Sequence, residues 1–253
     1  MPSLEVSLAG FAALDEAGLA RPWSWQGKPL DVRYALYRTL EEAQEAQTRV
    51  AAESHPESRR ILSLAQRAFG DLRGLLVGLP ADLLDRKPAP EEWPLRETLR
   101  HMLAVEQRYM LQTIYAIERA DADPMKMTED RLPTAAKLDA SGDLPVVLGR
   151  LAGARAETNR RLGEVTPAGM TRPTIWVHWD IDVRFRLHRF AAHVVEHTIQ
   201  CEKTLEAIGW RATEGRRIAR QISALIGEIE GLAALAEVRK LEARAAERLA
   251  SIS

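Results

Sequence analysis

The stretch VRFRLHRFAAHVVEHTIQCEKTLEAI, residues 183–208, decides the fold. Apolar or small side chains recur at Val183, Leu187, Phe190, Val194, Cys201, Leu205 and Ile208. Steps of three and four residues place them on one face of an α-helix, which Gly209 ends. His197 falls on that apolar face and His193 borders it. Two histidines four residues apart project one turn apart from the same side of a helix, close enough to hold one ion. A buried face that carries such a pair predicts a helical bundle with a site in its interior.

Working outward, the same periodicity recurs. Val32, Leu36, Thr39, Ala43, Ala46 and Val50 form one series after Asp31, a suitable N-cap, and Ser54-His55-Pro56 ends it. Ile61, Ala65, Ala68, Leu72, Leu75 and Leu79 form a second, stopped at Pro80. Glu91-Glu92-Trp93-Pro94 reads as the acidic first turn of a third helix, which carries Leu99, His101, Met102, Glu106, Met110 and Ile117. Leu144 to Leu162 gives a fourth. Residues 1–30 predict a short helix around Leu8–Ala17 followed by a loop pinned by Trp23 and Trp25, and 121–142 a long loop. Thr174 to Asp182 alternates like a strand but has no partner, so an extended aromatic segment is expected. Ile218, Ile222, Leu225 and Ile229, then Leu232 to Leu249, predict two more helices, expected to pack outside the bundle or to pair with another subunit as a homodimer. No internal repeat of fixed period emerges. The class is all-α: an N-terminal extension over 1–56, a four-helix bundle over 57–210 and a C-terminal helical extension over 211–253.

The bulk numbers narrow the partners. Lys and Arg total 35 against 36 Asp and Glu, so there is no net pull toward nucleic acid or an anionic membrane. A single cysteine, Cys201, excludes an intrachain disulfide framework. No run approaches the roughly 20 apolar residues of a membrane span, and Met1 to Gly10 does not read as a signal peptide. A soluble, cytoplasmic protein acting on a small molecule is expected.

His193 and His197 suit a borderline metal such as zinc or nickel. Two ligands are too few, and His101, mid-helix in a segment of bundle length, is the best third. Three protein ligands leave room for water or substrate, the arrangement of a catalytic site. Glu106 is the candidate to orient or supplement these ligands from behind them.

Trp93 shortly before the helix of His101, and His193-x-x-x-His197 on a later helix, resemble the DinB-like family of metal-binding four-helix bundles over roughly residues 57–210. The resemblance implies one divalent ion at His101, His193 and His197, with water completing its shell. It also implies kinship with thiol-dependent enzymes, including mycothiol-dependent maleylpyruvate isomerase and bacillithiol transferases, and hence a small thiol cofactor and transferase or isomerase chemistry. The competing expectation is a non-catalytic, stress-associated binding or dimerisation module whose metal is structural or absent.

His193-x-x-Glu196-His197 also matches a metalloprotease signature with Glu196 as base. Only 56 residues follow His197, and Glu196 points about 60° from His193 and about 100° from His197 around the helix, so this reading is disfavoured. Cys201 reads as a small buried hydrophobe before a redox group. Arg184, Arg186, His188 and Arg189 would hold a substrate carboxylate or form a solvated face. Trp176, His178 and Trp179 would line a pocket mouth or staple the helix to the core, and His55 has no evident role.

Overall fold

The computed structural model describes residues 3–252. In chain order these form α1 (Leu4–Ala12), α2 (Glu16–Leu19), strands β1 (Pro22–Trp25) and β2 (Lys28–Asp31), α3 (Val32–Ala51), α4 (Glu57–Leu76), α5 (Leu95–Glu118), α6 (Leu144–Leu162), α7 (Pro167–Met170), β3 (Pro173–Trp176), β4 (Trp179–Asp182), α8 (Val183–Ala207), α9 (Glu214–Gly231) and α10 (Leu235–Ile252). The class is all-α, with two small antiparallel hairpins, β1–β2 and β3–β4. No helix among the described residues is long and apolar enough to cross a membrane.

The chain divides into two compact units. The first comprises Met1–Ser54, Gln66–Pro80 and Gly209–Ser253, and the second His55–Ala65 and Ala81–Ile208. In the first, Leu8 and Phe11 of α1, Leu36 and Ala43 of α3, Ile222 and Ile226 of α9 and Leu241 of α10 share one apolar core. Residues some 200 positions apart therefore bury each other's faces. In the second, Ile61 and Leu62 of α4 pack with Leu162 of α6 and with Val183, Leu187 and Phe190 of α8.

Helix starts follow side-chain chemistry. Asp31, Asp143 and Asp182 each accept a hydrogen bond from the backbone N–H three residues on, at Tyr34, Val146 and Phe185, which satisfies one of the free amides of a first turn. The acidic Glu91-Glu92 pair instead precedes its helix, because the fixed ring of Pro94 serves as N-cap and α5 begins at Leu95.

The expected extended segment is a closed hairpin. Trp176 pairs with Trp179 and Pro173 with Asp182, so the strand partner is the other half of the same segment. Its turn passes through Val177 at φ 58, a conformation that β-branched residues rarely adopt, and nothing in the local sequence announces it. The loop expected at Trp23–Trp25 is likewise a hairpin, turned at Gln26 and Gly27 with φ 49 and 74.

Candidate metal centre

The phase of α8 is set at its start. Asp182 caps it, and Arg186 is buried under the hairpin, donating to the Ile175 carbonyl and to Thr174 Oγ1. With Leu187, Phe190, Val194 and Cys201 turned into the core, His193 and His197 face inward and are 7% and 8% exposed. On α5, burial of Leu95, Leu99 and Met102 turns His101 toward the same place, half-buried beside the Trp93 ring at 5.5 Å.

The three imidazoles converge, with one ring nitrogen from each within 4.8 Å of the others. Ring centroids are 4.4 Å apart for His193–His197, 4.7 Å for His101–His197 and 5.4 Å for His101–His193. The Nε2 atoms of His101 and His193 lie 3.4 Å apart. Two nitrogens bound to one tetrahedral ion at about 2.0–2.1 Å stand about 3.3 Å apart, so this donor set fits a shared cation without rearrangement of that pair. His197 Nδ1 donates to Gln200 Oε1 at 2.7 Å, which leaves its Nε2 lone pair free for the centre. Gln200 escaped the sequence reading, although its place three residues after His197 was the available signal.

Electrostatics favour the neutral, ligand-ready ring at His193 and at His101. Burial pushes the His193 imidazole down to about 3, helped by the neighbouring His197, His101 and Arg189. Burial, then His197, lowers His101, against an opposing pull from Glu196. A histidine depressed in the native state takes up its proton more readily once unfolded, so stability falls as pH drops from about 6.5 toward about 3. Metal-free protein should therefore lose up to about 1.4 kcal/mol per pH unit through His193 across that window. Denaturant unfolding at stepped pH checks this, and a slope that His193→Ala leaves unchanged counts against it.

Other candidates resolve differently. Glu106 does not support the histidines. It is buried, and its Oε1 accepts from Arg155 Nη1 at 2.7 Å and Thr158 Oγ1 at 2.5 Å, because a buried carboxylate needs charged and polar donors and α6 supplies them. Glu196 lies outside the cluster, largely exposed, 3.9 Å from Arg189. Cys201 is fully buried and its thiol is pushed up to about 12, which makes it inert at neutral pH. Arg184 pairs with Glu57 at 2.6 Å, and Arg189 stacks over Trp176 at 4.5 Å. The arginines thus hold the fold rather than a substrate. The Trp176 and Trp179 rings tilt against each other at 5.3 Å, and the His178 ring tilts against that of Trp179 at 4.3 Å. A groove of about 650 Å³, lined by Glu91, Glu92, Trp93, Glu196, Gln200 and Lys203 among others, includes Trp93 and Gln200, which touch two of the three histidines.

A histidine cluster inside a four-helix bundle defines the class of protein. The DinB superfamily profile matches residues 64–201, more than half of the chain, and the protein belongs to that superfamily. Among solved structures it is similar to YfiT from Bacillus subtilis, described as "a probable metal-dependent hydrolase with an unusual four-helix bundle topology". The match has 13% identity and a TM-score of 0.49, and covers 63% of this chain and 93% of that one. A search of curated protein sequences finds no match.

Proposed function

We propose that His101, His193 and His197 hold one divalent ion, zinc or nickel, and that this cytoplasmic protein is a metal-dependent enzyme using a small thiol, of the S-transferase or isomerase type. The observation that carries the reading is the convergence of three imidazole nitrogens within 4.8 Å, with the 3.4 Å separation of one pair matching a shared ligand sphere. When bound, such an ion lowers the pKa of a thiol or water and supplies a nucleophile near neutral pH.

The chain's own residues do the rest. Gln200 fixes the ring of His197, and burial keeps His193 unprotonated. Trp93 stands against His101 with 45% of its surface exposed, a wall on which an apolar substrate body can rest. Glu91, Glu92, Glu196 and Lys203 give the groove polar groups of both signs for a thiol carrier that is itself polar.

The test is elemental analysis of chain purified without metal-affinity steps, followed by assay of thiol addition to a small electrophile before and after chelation. One ion per chain, and activity lost on chelation with the helical signal retained, are expected. Absence of any ion sinks the reading. An ion whose removal unfolds the bundle would favour the structural, non-catalytic alternative, because there the binding energy is folding energy.

A further inference from the structure

The two hairpin–helix segments are copies of one another. Arg21, Pro22, Trp25, Asp31, Val32, Arg33, Leu36 and Arg38 each recur 151 positions later, as Arg172, Pro173, Trp176, Asp182, Val183, Arg184, Leu187 and Arg189. A second pair of segments repeats 157 positions apart. Glu57, Arg59, Arg60, Ile61, Gly70, Gly74 and Leu75 of α4 and its end return as Glu214, Arg216, Arg217, Ile218, Gly227, Gly231 and Leu232 at α9.

Local structure agrees in detail. Asp31 and Asp182 make the same cap. Val32 N–H donates to the Arg21 carbonyl at 3.0 Å, and Val183 N–H to that of Arg172 at 3.1 Å. Gln26 and Val177 share the left-handed turn position. Arg33 binds Glu214 at 3.0 Å in the first unit, and Arg184 binds Glu57 at 2.6 Å in the second. Each copy of the arginine thus meets the copy of the glutamate that belongs to its own unit. The second unit takes the start of α4 and then α5, α6 and α8 in chain order, whereas the first takes α1 and α3 from the start of the chain, the second half of α4 from its middle, and α9 and α10 from its end.

The duplication places the counterparts of the histidines. His193 corresponds to Glu42 and His197 to Ala46. Glu42 is 9% exposed, and its Oε1 accepts from Arg248 Nη2 of α10 at 2.7 Å, while its buried Oε2 has no hydrogen-bond partner. Arg248 is 8% exposed and lies over Trp25 at 4.5 Å and Trp23 at 5.5 Å. A cavity of about 600 Å³ lies over this pair, lined also by Trp23, Trp25, Arg38 and Arg244.

We propose that the chain is an internal duplication of one bundle and that its first unit is a metal-free copy, in which the Arg248 guanidinium is the resident cation at the place where the second unit gathers its histidines. Alanine at 46 removes one ligand outright, and the guanidinium occupies the carboxylate that stands for another. The comparison rests on the metal reading of the second unit, but the ion pair can be tested apart from it.

Two measurements decide the matter. Zinc titration of the full chain should show one high-affinity site, and His193→Ala should show none. A second site in the wild type, or one surviving in the variant, overturns the proposal. Arg248→Ala should melt at least about 5 °C lower, and methylguanidinium at tens of millimolar should restore part of that loss where equal neutral methylurea or zinc does not. An unchanged melting temperature, or protection by zinc in place of methylguanidinium, overturns it. If Arg248→Ala fails to fold, Arg248→Lys keeps the arm open, since a resident cation predicts that lysine restores folding and Arg248→Gln does not. A chain that binds no ion in any form would sink the metal reading of the second unit and leave Arg248 to decide this one.

Discussion

His193→Ala is expected to reduce the metal content of the purified chain from one ion to background, the largest functional effect of any single substitution. The argument is geometric. His101 and His193 present nitrogens 3.4 Å apart, and without His193 the donor set falls to two imidazoles on different helices. The same variant should lose metal-dependent thermal protection, which at a free ion concentration of about 100 Kd amounts to about 2.7 kcal/mol. Gln200→Ala provides the graded comparison. It removes only the acceptor that holds the His197 ring at 2.7 Å, and loss of such a supporting contact weakens metal binding about 10–100-fold. Titration calorimetry on both variants checks the order. Equal affinities for wild type and His193→Ala would show that the ion, if bound, sits elsewhere.

The bundle and its three histidines were legible because they depend on local periodicity. His197 stands out as the polar member of a run that otherwise places Leu187, Phe190, Val194 and Cys201 in the core. Non-local features were less visible. Nothing near Glu106 shows that Arg155, 49 positions on, claims its carboxylate, although the five-residue step from His101 already turns Glu106 about 140° away around the helix. The hairpin at Val177 lacks the Asn-Gly or Asp-Gly signal of a tight turn, so only its pairing reveals it. The duplication escapes a search for a fixed period because its spacings differ, 151 and 157, and because the first unit takes up the bundle's order partway through. Its members also differ at Glu42 and Ala46, the positions a motif reading would check first.

Breaking the Glu106–Arg155 pair is expected to be the most destabilising single change in the second unit. Arg155 is fully buried, bound to Glu106 at 2.7 Å and to Asn159 Oδ1 at 2.8 Å, and lies over the Phe190 ring at 5.5 Å. Glu106→Ala leaves a guanidinium with no counter-charge in a low-dielectric interior, which costs about 3–5 kcal/mol, or about 10 °C in melting temperature for a chain of this size. Replacing both partners with apolar residues, Glu106→Leu with Arg155→Met, should recover most of that loss, because the penalty lies in the stranded charge and not in the absent attraction. A double-mutant cycle in urea measures it, and a double variant no more stable than Glu106→Ala would refute the account. The metal site supplies the sharper discrimination. Phe190 precedes His193 by three residues on α8, so if the pair only holds α5 and α6 together, the double variant should bind metal as the wild type does. If the Arg155 guanidinium also sets the position of α8 through Phe190, metal affinity should stay low even where stability has returned.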